Sequence, residues 1–513
     1  MLGAYCPVEI SVKDRGIFDT LVPRDHWVRR AEALIDFVAL RSEVEPFYSS
    51  DEGAPSVEPI LLIKLTLIQF HDGHSDRKLW DCVQTDLAYR WFLRLGLEDY
   101  LPDVSTLNKF RARLGSQGFE KLFQNLVKQC RNHGLIRDRL RIKDATHVVA
   151  SIAVAAGLTL VSQARDRLLG CANPFASQQV AGEKVRLEAI RSSTDSQSAD
   201  TRLLVRIEHL RDIVCWADAL PAPTDGATNV RWEALVKARE VAHKVLAGHD
   251  QPKEPGKIRS VVDPDARRGK HGEFYDGYSL DVMIDADSEL FTAINVYPAD
   301  GNESADTLTL VDQEMKAQGN QIESISIDGA GYDGPILREL EEGRNITPFV
   351  PDRRQSSNKF TAEDFQVSED GKHLTCPAGH CSQYRQRDDG REVTIYRFDL
   401  AVCQACPLLQ RCGGQSKKFG RSVSLSDYAP EHRKVSQRAV SKEYDEVKQK
   451  HPAVERKLGH LINRHGGRRA RYRGLDRVRA QGFIIGLAAN MKRMIQLVIH
   501  ANCPTIFQFK TTR

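Results

Sequence analysis

The stretch Ile325-Ser-Ile-Asp328-Gly-Ala-Gly-Tyr-Asp333 constrains this chain more than any other. An alternating apolar run ends on a carboxylate and glycines follow at once, which reads as a strand released into a tight turn with an acid at its tip. Just upstream, Tyr278–Ile284 and Leu290–Tyr297 read as two more strands, joined by Asp285-Ala-Asp-Ser288, a hairpin turn in composition. Between that hairpin and the third strand, Ser304–Gln318 has helical spacing, with Leu308, Val311 and Met315 on one stripe. An Asp after a strand also starts turns on its own account, so the context has to decide its role. An earlier strand-like run, Leu140-Arg-Ile-Lys-Asp144-Ala-Thr-His-Val-Val149, also has an acid in it, Asp144. A third candidate carboxylate lies on a late helix. Ala453-Val-Glu455-Arg-Lys-Leu-Gly-His-Leu-Ile462 opens one just after Pro452, a residue suited to the first helical turn. Glu443 and Glu446, on a more polar stretch, are the alternatives to Glu455.

At this point the chain resembles the DDE transposases of bacterial insertion sequences. The passages that carry the resemblance are Lys143-Asp144-Ala-Thr, the run from Asp263-Pro-Asp-Ala-Arg267 to Gly277-Tyr278, Ile327-Asp328-Gly-Ala-Gly-Tyr, and Val454-Glu455-Arg. Arg473-Gly-Leu475 and Ala489-Asn490-Met-Lys-Arg493 follow, and Pro102-Asp-Val-Ser-Thr-Leu107 with Phe110-Arg111 precedes them all. Related transposases carry a Tyr and an Arg before the last Glu and a Lys after it; those positions here hold Lys448, His451 and Ile462.

The resemblance implies an α/β fold: an RNase H-like catalytic core, a mixed sheet flanked by helices, preceded by an all-helical DNA-binding domain. Two insertions interrupt the core, one helical and one cysteine-rich. The expected divisions are residues 1–135 for the helical domain, 136–150 for the first core strand, and 151–256 for the helical insertion. Residues 257–349 continue the core, 350–440 form the cysteine-rich insertion, and 441–513 close the core with Glu455 and a basic segment.

Composition fits a large enzyme. The chain has 513 residues, enough for two or more domains with their own cores. No run of eighteen apolar residues occurs, so no membrane-spanning helix is expected. Glu9, Lys13 and Asp14 come where a signal peptide would need an apolar stretch, and a cytoplasmic protein is expected. A net charge of +4 says little about nucleic acid, and the distribution of charge says more.

In the first 135 residues, Trp27–Leu40, Ile60–Phe70, Arg77–Asp86 and Thr106–Leu114 have helical apolar spacing, with Ser75 and Ser105 placed as N-caps. Lys109, Arg111 and Arg113 give the last helix a basic side, as a helix-turn-helix-like module requires; a plain helical bundle with solvated charges has the same pattern. The insertion after Asp144 opens with small residues, Ala150–Ala156. It then predicts helices near Gln178–Arg191, Thr201–Asp218 and Arg231–Leu246, with Pro221–Gly226 and Gln251–Gly256 as breaks. It carries no catalytic constellation.

The second insertion holds Cys403-Gln-Ala-Cys406-Pro, with Cys412 beyond and Cys376-Pro-Ala-Gly upstream. Cytosolic cysteines grouped this way point to metal ligands rather than disulfides, and four thiolates suit a structural Zn²⁺. His380 and Cys381 are spare ligands, and a reduced cluster without metal is the plainer reading. Cys6, Cys82, Cys130, Cys171, Cys215 and Cys503 are scattered and read as packing residues. After Glu455 the chain turns basic: Arg464, Arg468, Arg469, Arg471, Arg473, Arg477 and Arg479 occur with Asp476 the one acid among them. A charge run is ordinarily a solvated face, but arginines beside a catalytic acid suit phosphates near a scissile bond. Arg267 joins this set of DNA-binding candidates. Phe483–Ile499 reads as an apolar helix closing the domain.

Three converging carboxylates need a cation, and hard oxygen ligands suit Mg²⁺ or Mn²⁺. Two ions about 3.5–4 Å apart activate a water or a 3′-hydroxyl and stabilise the leaving oxygen. Asp144 and Asp328 then ligate the metals, Asp144 bridging, and Glu455 completes one shell. The resemblance implies cleavage at the ends of a mobile element, joining of the 3′-ends to target DNA, and a homodimer on double-stranded DNA. A metal-dependent nuclease or resolvase on the same fold, and a non-catalytic DNA-binding descendant, are the other readings.

Overall fold

Leu140–Val149 forms a ten-residue strand, β1, whose two halves serve different parts of the molecule. The structure, a computed structural model, describes residues 2, 5, 8–49, 53–223, 229–252, 254, 256–352, 359–412 and 418–500. Two units emerge. One comprises residues 1–137, 144–320 and the chain from 453 onward; the other comprises 138–143 and 321–452. Both mix helix with sheet. Cys6 and Cys503, and parts of the breaks at 221–226 and 251–256, lie outside the described residues.

The first unit contains β2 (Arg267–His271), β3 (Glu273–Asp285) and β4 (Phe291–Pro298). The long β3 pairs antiparallel with β2 from Arg267↔Gly277 and with β4 from Tyr278↔Pro298, and β1 lies along its other edge. Gly277 is required there: a Cβ would come 2.1 Å from the Val148 carbonyl oxygen of β1. The turn between β3 and β4 forms where the sequence predicts it. The Asp285 carboxylate accepts from the Ser288 amide (2.9 Å) and hydroxyl (2.7 Å), and Glu289 turns back at φ 58°. The following helix, Glu303–Gln318, starts one residue before expectation because the Asn302 side chain accepts from the Ser304 and Ala305 amides.

The N-terminal helices differ in detail from the sequence reading. The predicted Trp27–Leu40 splits into Trp27–Leu34 and Phe37–Val44, since Asp36 accepts from the Val38 and Ala39 amides and begins a new helix. Pro59–Asp72 and Asp76–Thr85 follow, the latter capped by Ser75 as expected. Ser105 is not the cap of the next helix. Asp103 is, accepting from the Ser105 amide, and that helix runs from Val104 to Asn132 with a bend at Gly115 (φ 53°, ψ −161°). Asp476 accepts from the Ser116 amide and hydroxyl and so caps the second half.

Within the same unit, residues 157–250 form Gly157–Ala172, Ser177–Thr194, Ala199–Asp218 and Asn229–Asp250. The first of these was not expected from the sequence, although its buried Val161, Ala164, Leu168, Leu169 and Ala172 recur at helical spacing. The four helices enclose a core of their own, with Leu168, Leu210, Ile213, Leu235 and Ala242 at most 1% exposed. Pro452–Arg464 and Leu475–His500 complete the unit. The window Leu475–Ile499 is long and apolar enough to cross a membrane (mean hydropathy 1.3), contrary to the sequence expectation, but 72% of it is buried against the rest of the unit. Phe123 of the bent helix packs on Phe483 with ring centroids 5.9 Å apart.

In the second unit the first residues of β1 pair in parallel with β5 (Ser324–Ser326), from Leu140↔Ser324 to Ile142↔Ser326. β5 pairs in parallel with β6 (Thr347–Phe349). A two-stranded ladder of β7 (Gln366–Val367) and β8 (Leu374–Thr375) comes next. An antiparallel sheet follows, in which β10 (Val393–Arg397) lies between β9 (Tyr384–Asp388) and β11 (Ser422–Ser426). Helices Ala429–Ala439 and Lys442–Lys450 lead out of it.

Candidate functional site

Asp144 is half-buried in β1, and Glu303 is half-buried in the first turn of Glu303–Gln318. Each offers a carboxylate oxygen within 4.8 Å of the other. Two like charges this close repel in water-poor surroundings and favour either a shared proton or a cation. Glu303 is the acid the sequence reading missed. Its only signal is its place at the start of a helix after a strand, where Asn302 already looks like a cap and an acid is favoured by the helix dipole. Glu455 lies exposed in the first turn of Pro452–Arg464. Glu443 is in the first turn of Lys442–Lys450 and Glu446 is further along it.

Asp328 belongs to the second unit. Its carboxylate accepts from the Ala330 amide at 2.9 Å and opens a single turn, Gly329–Gly331. The turn does not use up the carboxylate, which has two oxygens and several lone pairs. Two residues earlier, the Ser326 hydroxyl is 2.9 Å from Nδ1 of His451. His451 stands where relatives carry an Arg, and it ends Lys442–Lys450.

Two of the passages that carry the family resemblance meet through hydrogen bonds in the first unit, and a third bonds the β3–β4 turn. Asp263, fully buried, accepts from the Tyr278 hydroxyl (2.5 Å) and the Gly474 amide (3.1 Å). Asp265 accepts from the Leu475 amide (2.9 Å) at the start of the last helix. Burial and the Asp263 carboxylate together push the Tyr278 hydroxyl above its usual pKa. Asn490 reaches both the amide and the carbonyl of Phe291 (2.8 Å each), and Arg493 donates to the Ser288 carbonyl (2.7 Å), clamping the β3–β4 turn. These residues hold the strands in register rather than meet a substrate.

The basic candidates divide by exposure. Arg111 is buried: it pairs with Asp76 (3.0 Å) and donates to Asn108 (3.0 Å) and Gln69. Arg267 donates to the Ala266 carbonyl (3.0 Å). Arg468 donates to the His147 carbonyl (3.0 Å) and ring (2.7 Å), and Arg471 to the His74 carbonyl (2.8 Å) beneath the Phe70 ring. Arg479 donates to the Val296 carbonyl (3.0 Å). Lys109, Arg113, Arg464, Arg469, Arg473 and Arg477 remain exposed; Arg113 lies over the Tyr48 ring and Arg473 also reaches the Ser151 carbonyl.

In the second unit Cys376, Cys403, Cys406 and Cys412 line one cavity of about 20 Å³ together with His380. All four are free thiols, as are Cys82, Cys130, Cys171, Cys215 and Cys381. The Arg421 amide donates to Cys403 Sγ (3.4 Å), and Cys403–Cys406 closes a turn by an amide-to-carbonyl bond of 3.3 Å. Burial raises the Cys412 thiol above its usual range; Arg421 opposes this, while Cys403, Cys376 and Cys406 add to it. Among the described residues no three of these sulfurs come within 4.8 Å of one another.

A family model described as a transposase domain (DUF772) matches residues 17–113, which include Lys109, Arg111 and Arg113. A transposase DDE domain model matches residues 375–495, a span that takes in the four cysteines, Glu455 and the arginine run. A solved structure described as a piggyBac transposase synaptic complex with hairpin DNA is similar at 9% identity over 93% of this chain and 76% of that one, with a TM-score of 0.28. No curated protein matches. With one transposase model on the N-terminal helices and the DDE domain model on the C-terminal part, the chain is a transposase of the DDE type.

Proposed function

We propose that the chain binds the ends of an insertion sequence, cuts the DNA and joins the 3′-ends to target DNA, using divalent ions held by Asp144, Asp328 and Glu455 on an RNase H-like core. The parallel register of β1 and β5 carries this reading. Ile142 and Ser326 are paired, and each strand reaches its acid two residues later, at Asp144 and at Asp328. Glu455 is supported by its place in the first turn of a late helix within the span matched by the DDE domain model. Glu303, beside Asp144, is the competing third acid.

The donor set is all carboxylate oxygen, which fits Mg²⁺ or Mn²⁺ and not a soft metal. Ions there supply an activated water or 3′-hydroxyl and stabilise the departing oxygen. The chain's own groups do the rest. Asp144, Asp328 and Glu455 would hold the ions, and exposed Arg464, Arg469, Arg473 and Arg477 bind phosphates near the cut without reading bases. Lys109 and Arg113, on the helix within the transposase-domain match, are the proposed contacts to the element ends, and two copies acting on two ends make a homodimer the natural assembly.

The four-cysteine cavity takes no part in this reaction. Its thiols fit a structural Zn²⁺, and a backbone amide donated to a sulfur, as Arg421 donates to Cys403, is the kind of bond that orients a thiolate ligand. Cys376, Cys403, Cys406 and Cys412 would hold the ion, which would act as a staple for a small insertion. A strand-joining assay tests the main reading. Incubation of a pre-cut end fragment with plasmid and Mg²⁺ yields covalently joined product from a transposase, and only nicked or shortened DNA from a nuclease on the same fold.

A further inference from the structure

The helical insertion supplies none of the acids assigned to phosphoryl transfer, yet it buries positive charge. Arg165, on Gly157–Ala172, is 1% exposed, and Arg206, on Ala199–Asp218, is 9% exposed. Arg202 stands four residues before Arg206, so the two share one face of their helix. Arg165 donates from Nε (2.9 Å) and Nη2 (2.7 Å) to Asp166, its neighbour in sequence, whose side chain is 62% exposed. Nη1 of Arg165 and the Nε groups of Arg202 and Arg206 are buried and have no acceptor among the described residues.

A buried guanidinium is ordinarily met by a carboxylate, because taking its charge out of water is costly. The acids at hand are engaged elsewhere or held in solvent. Glu183 lies 2.9 Å from His209 and 3.7 Å from Arg186, and Asp212 pairs with Arg186 (2.6 Å). Glu188 pairs with Arg191 (2.7 Å) and is 67% exposed. Burial pulls the Arg206 guanidinium below its usual pKa, and the charges of Arg165, Arg191 and Arg202 pull it the same way against Glu188. The three guanidiniums thus lie near enough to repel one another, and each keeps a buried N–H without an acceptor.

We propose that Arg165, Arg202 and Arg206 form a binding site for a small phosphoryl anion of the pyrophosphate class, the group common to inorganic pyrophosphate and the phosphate chain of a nucleotide. Its oxygens accept from the three orphaned N–H groups, and its charge offsets their repulsion. Guanidinium forks match phosphoryl oxygens and keep their charge when buried. Three cations exceed the charge of a single phosphate ester, which favours two linked phosphates. A duplex does not suit the site, since its phosphates meet exposed side chains and Arg165 and Arg206 are enclosed. The inference stands apart from the transposition reading.

The test is equilibrium dialysis of the full-length chain against labelled pyrophosphate, in chloride buffer without divalent ions. Wild type should bind saturably, about one anion per chain, and Arg165→Gln and Arg206→Met should each weaken binding about tenfold or more. A nucleoside diphosphate that displaces the label at lower concentration than unlabelled pyrophosphate identifies the ligand as a nucleotide; one that needs a higher concentration identifies it as the bare anion. Excess random duplex should displace nothing. Thermal melting adds a reading with a distinctive sign. Without the anion, Arg206→Met should melt at or above wild type, because it removes an unpaired buried charge, and pyrophosphate should raise the melting temperature of wild type alone. Absence of saturable binding by wild type, binding untouched by either substitution, or displacement by duplex overturns the inference. So does an Arg206→Met protein that melts below wild type in chloride, which would show the guanidinium already satisfied.

Discussion

Asp144, Asp328, Glu303 and Glu455 share a chemistry but not a setting, and the setting assigns them different weights. Asp144 lies within β1 and Asp328 caps the single turn that follows β5, whereas Glu303 and Glu455 each lie in a first helical turn. A ligand and a bystander respond differently to loss of charge. Glu455→Gln should lower cleavage by about 10²-fold or more while DNA binding persists, and Glu303→Gln should lower it by less than about tenfold. The reverse ranking in a cleavage time course would make Glu303 the third ligand. The arginines separate in the same way. Arg471→Ala removes a charged donor from the His74 carbonyl and should cost about 2 kcal/mol of stability, seen as a lower denaturant midpoint. Arg469→Ala with Arg473→Ala should leave that midpoint alone. It should weaken binding to specific and random duplex equally, and flatten the slope of log affinity against log salt by up to about 0.9 for each phosphate that is no longer neutralised.

Strand β1, the β3–β4 hairpin and the helix after it were legible because each carries a complete local signal: alternation, an Asx-rich turn, a helical stripe. Boundaries failed where a side chain outvoted the pattern. Asp36 divides what spacing joins into one helix, and Asp103 displaces Ser105 as a cap. The acids at 144 and 328 stand out in the sequence because small residues follow each at once, although Asp144 lies inside β1 and not at its tip; Glu303 does not stand out, since an acid in a first helical turn is ordinary. Nor could spacing tell which arginines face solvent, because Arg111, Arg468 and Arg471 are held by partners hundreds of positions or several helices away. The cysteines were legible as a group and the structure lines one cavity with them. Protein purified reduced and free of chelator should therefore carry about one Zn²⁺ per chain by elemental analysis. Cys403→Ser with Cys406→Ser should release it, and metal-free wild-type protein would contradict the site.

The first unit gathers segments that are distant in sequence, so its stability should follow groups buried at its joints. Burial, helped by Arg468 and His271, lowers the His147 pKa from 6.5 to about 4. Burial likewise lowers His465, whose ring is 2.8 Å from the Phe70 carbonyl, to about 4. Both values lie below those of the unfolded chain, so above about pH 6.5 neither state binds the proton and these groups leave stability unchanged. As pH falls from 6.5 toward 4 the unfolded chain takes up protons that the folded one refuses, and stability drops. Urea midpoints should decline through that window, and His465→Gln should reduce the decline. The same gathering makes residues 1–135 a poor fragment to isolate, because Phe123 and its neighbours pack on the last helix. The most direct measurement is the joining of a pre-cut element end to plasmid in Mg²⁺ by the full-length chain and by Asp144→Asn and Asp328→Asn. Wild type should give joined product, while both variants bind the end with near-normal affinity and join nothing; joining by either variant at close to the wild-type rate would contradict the account.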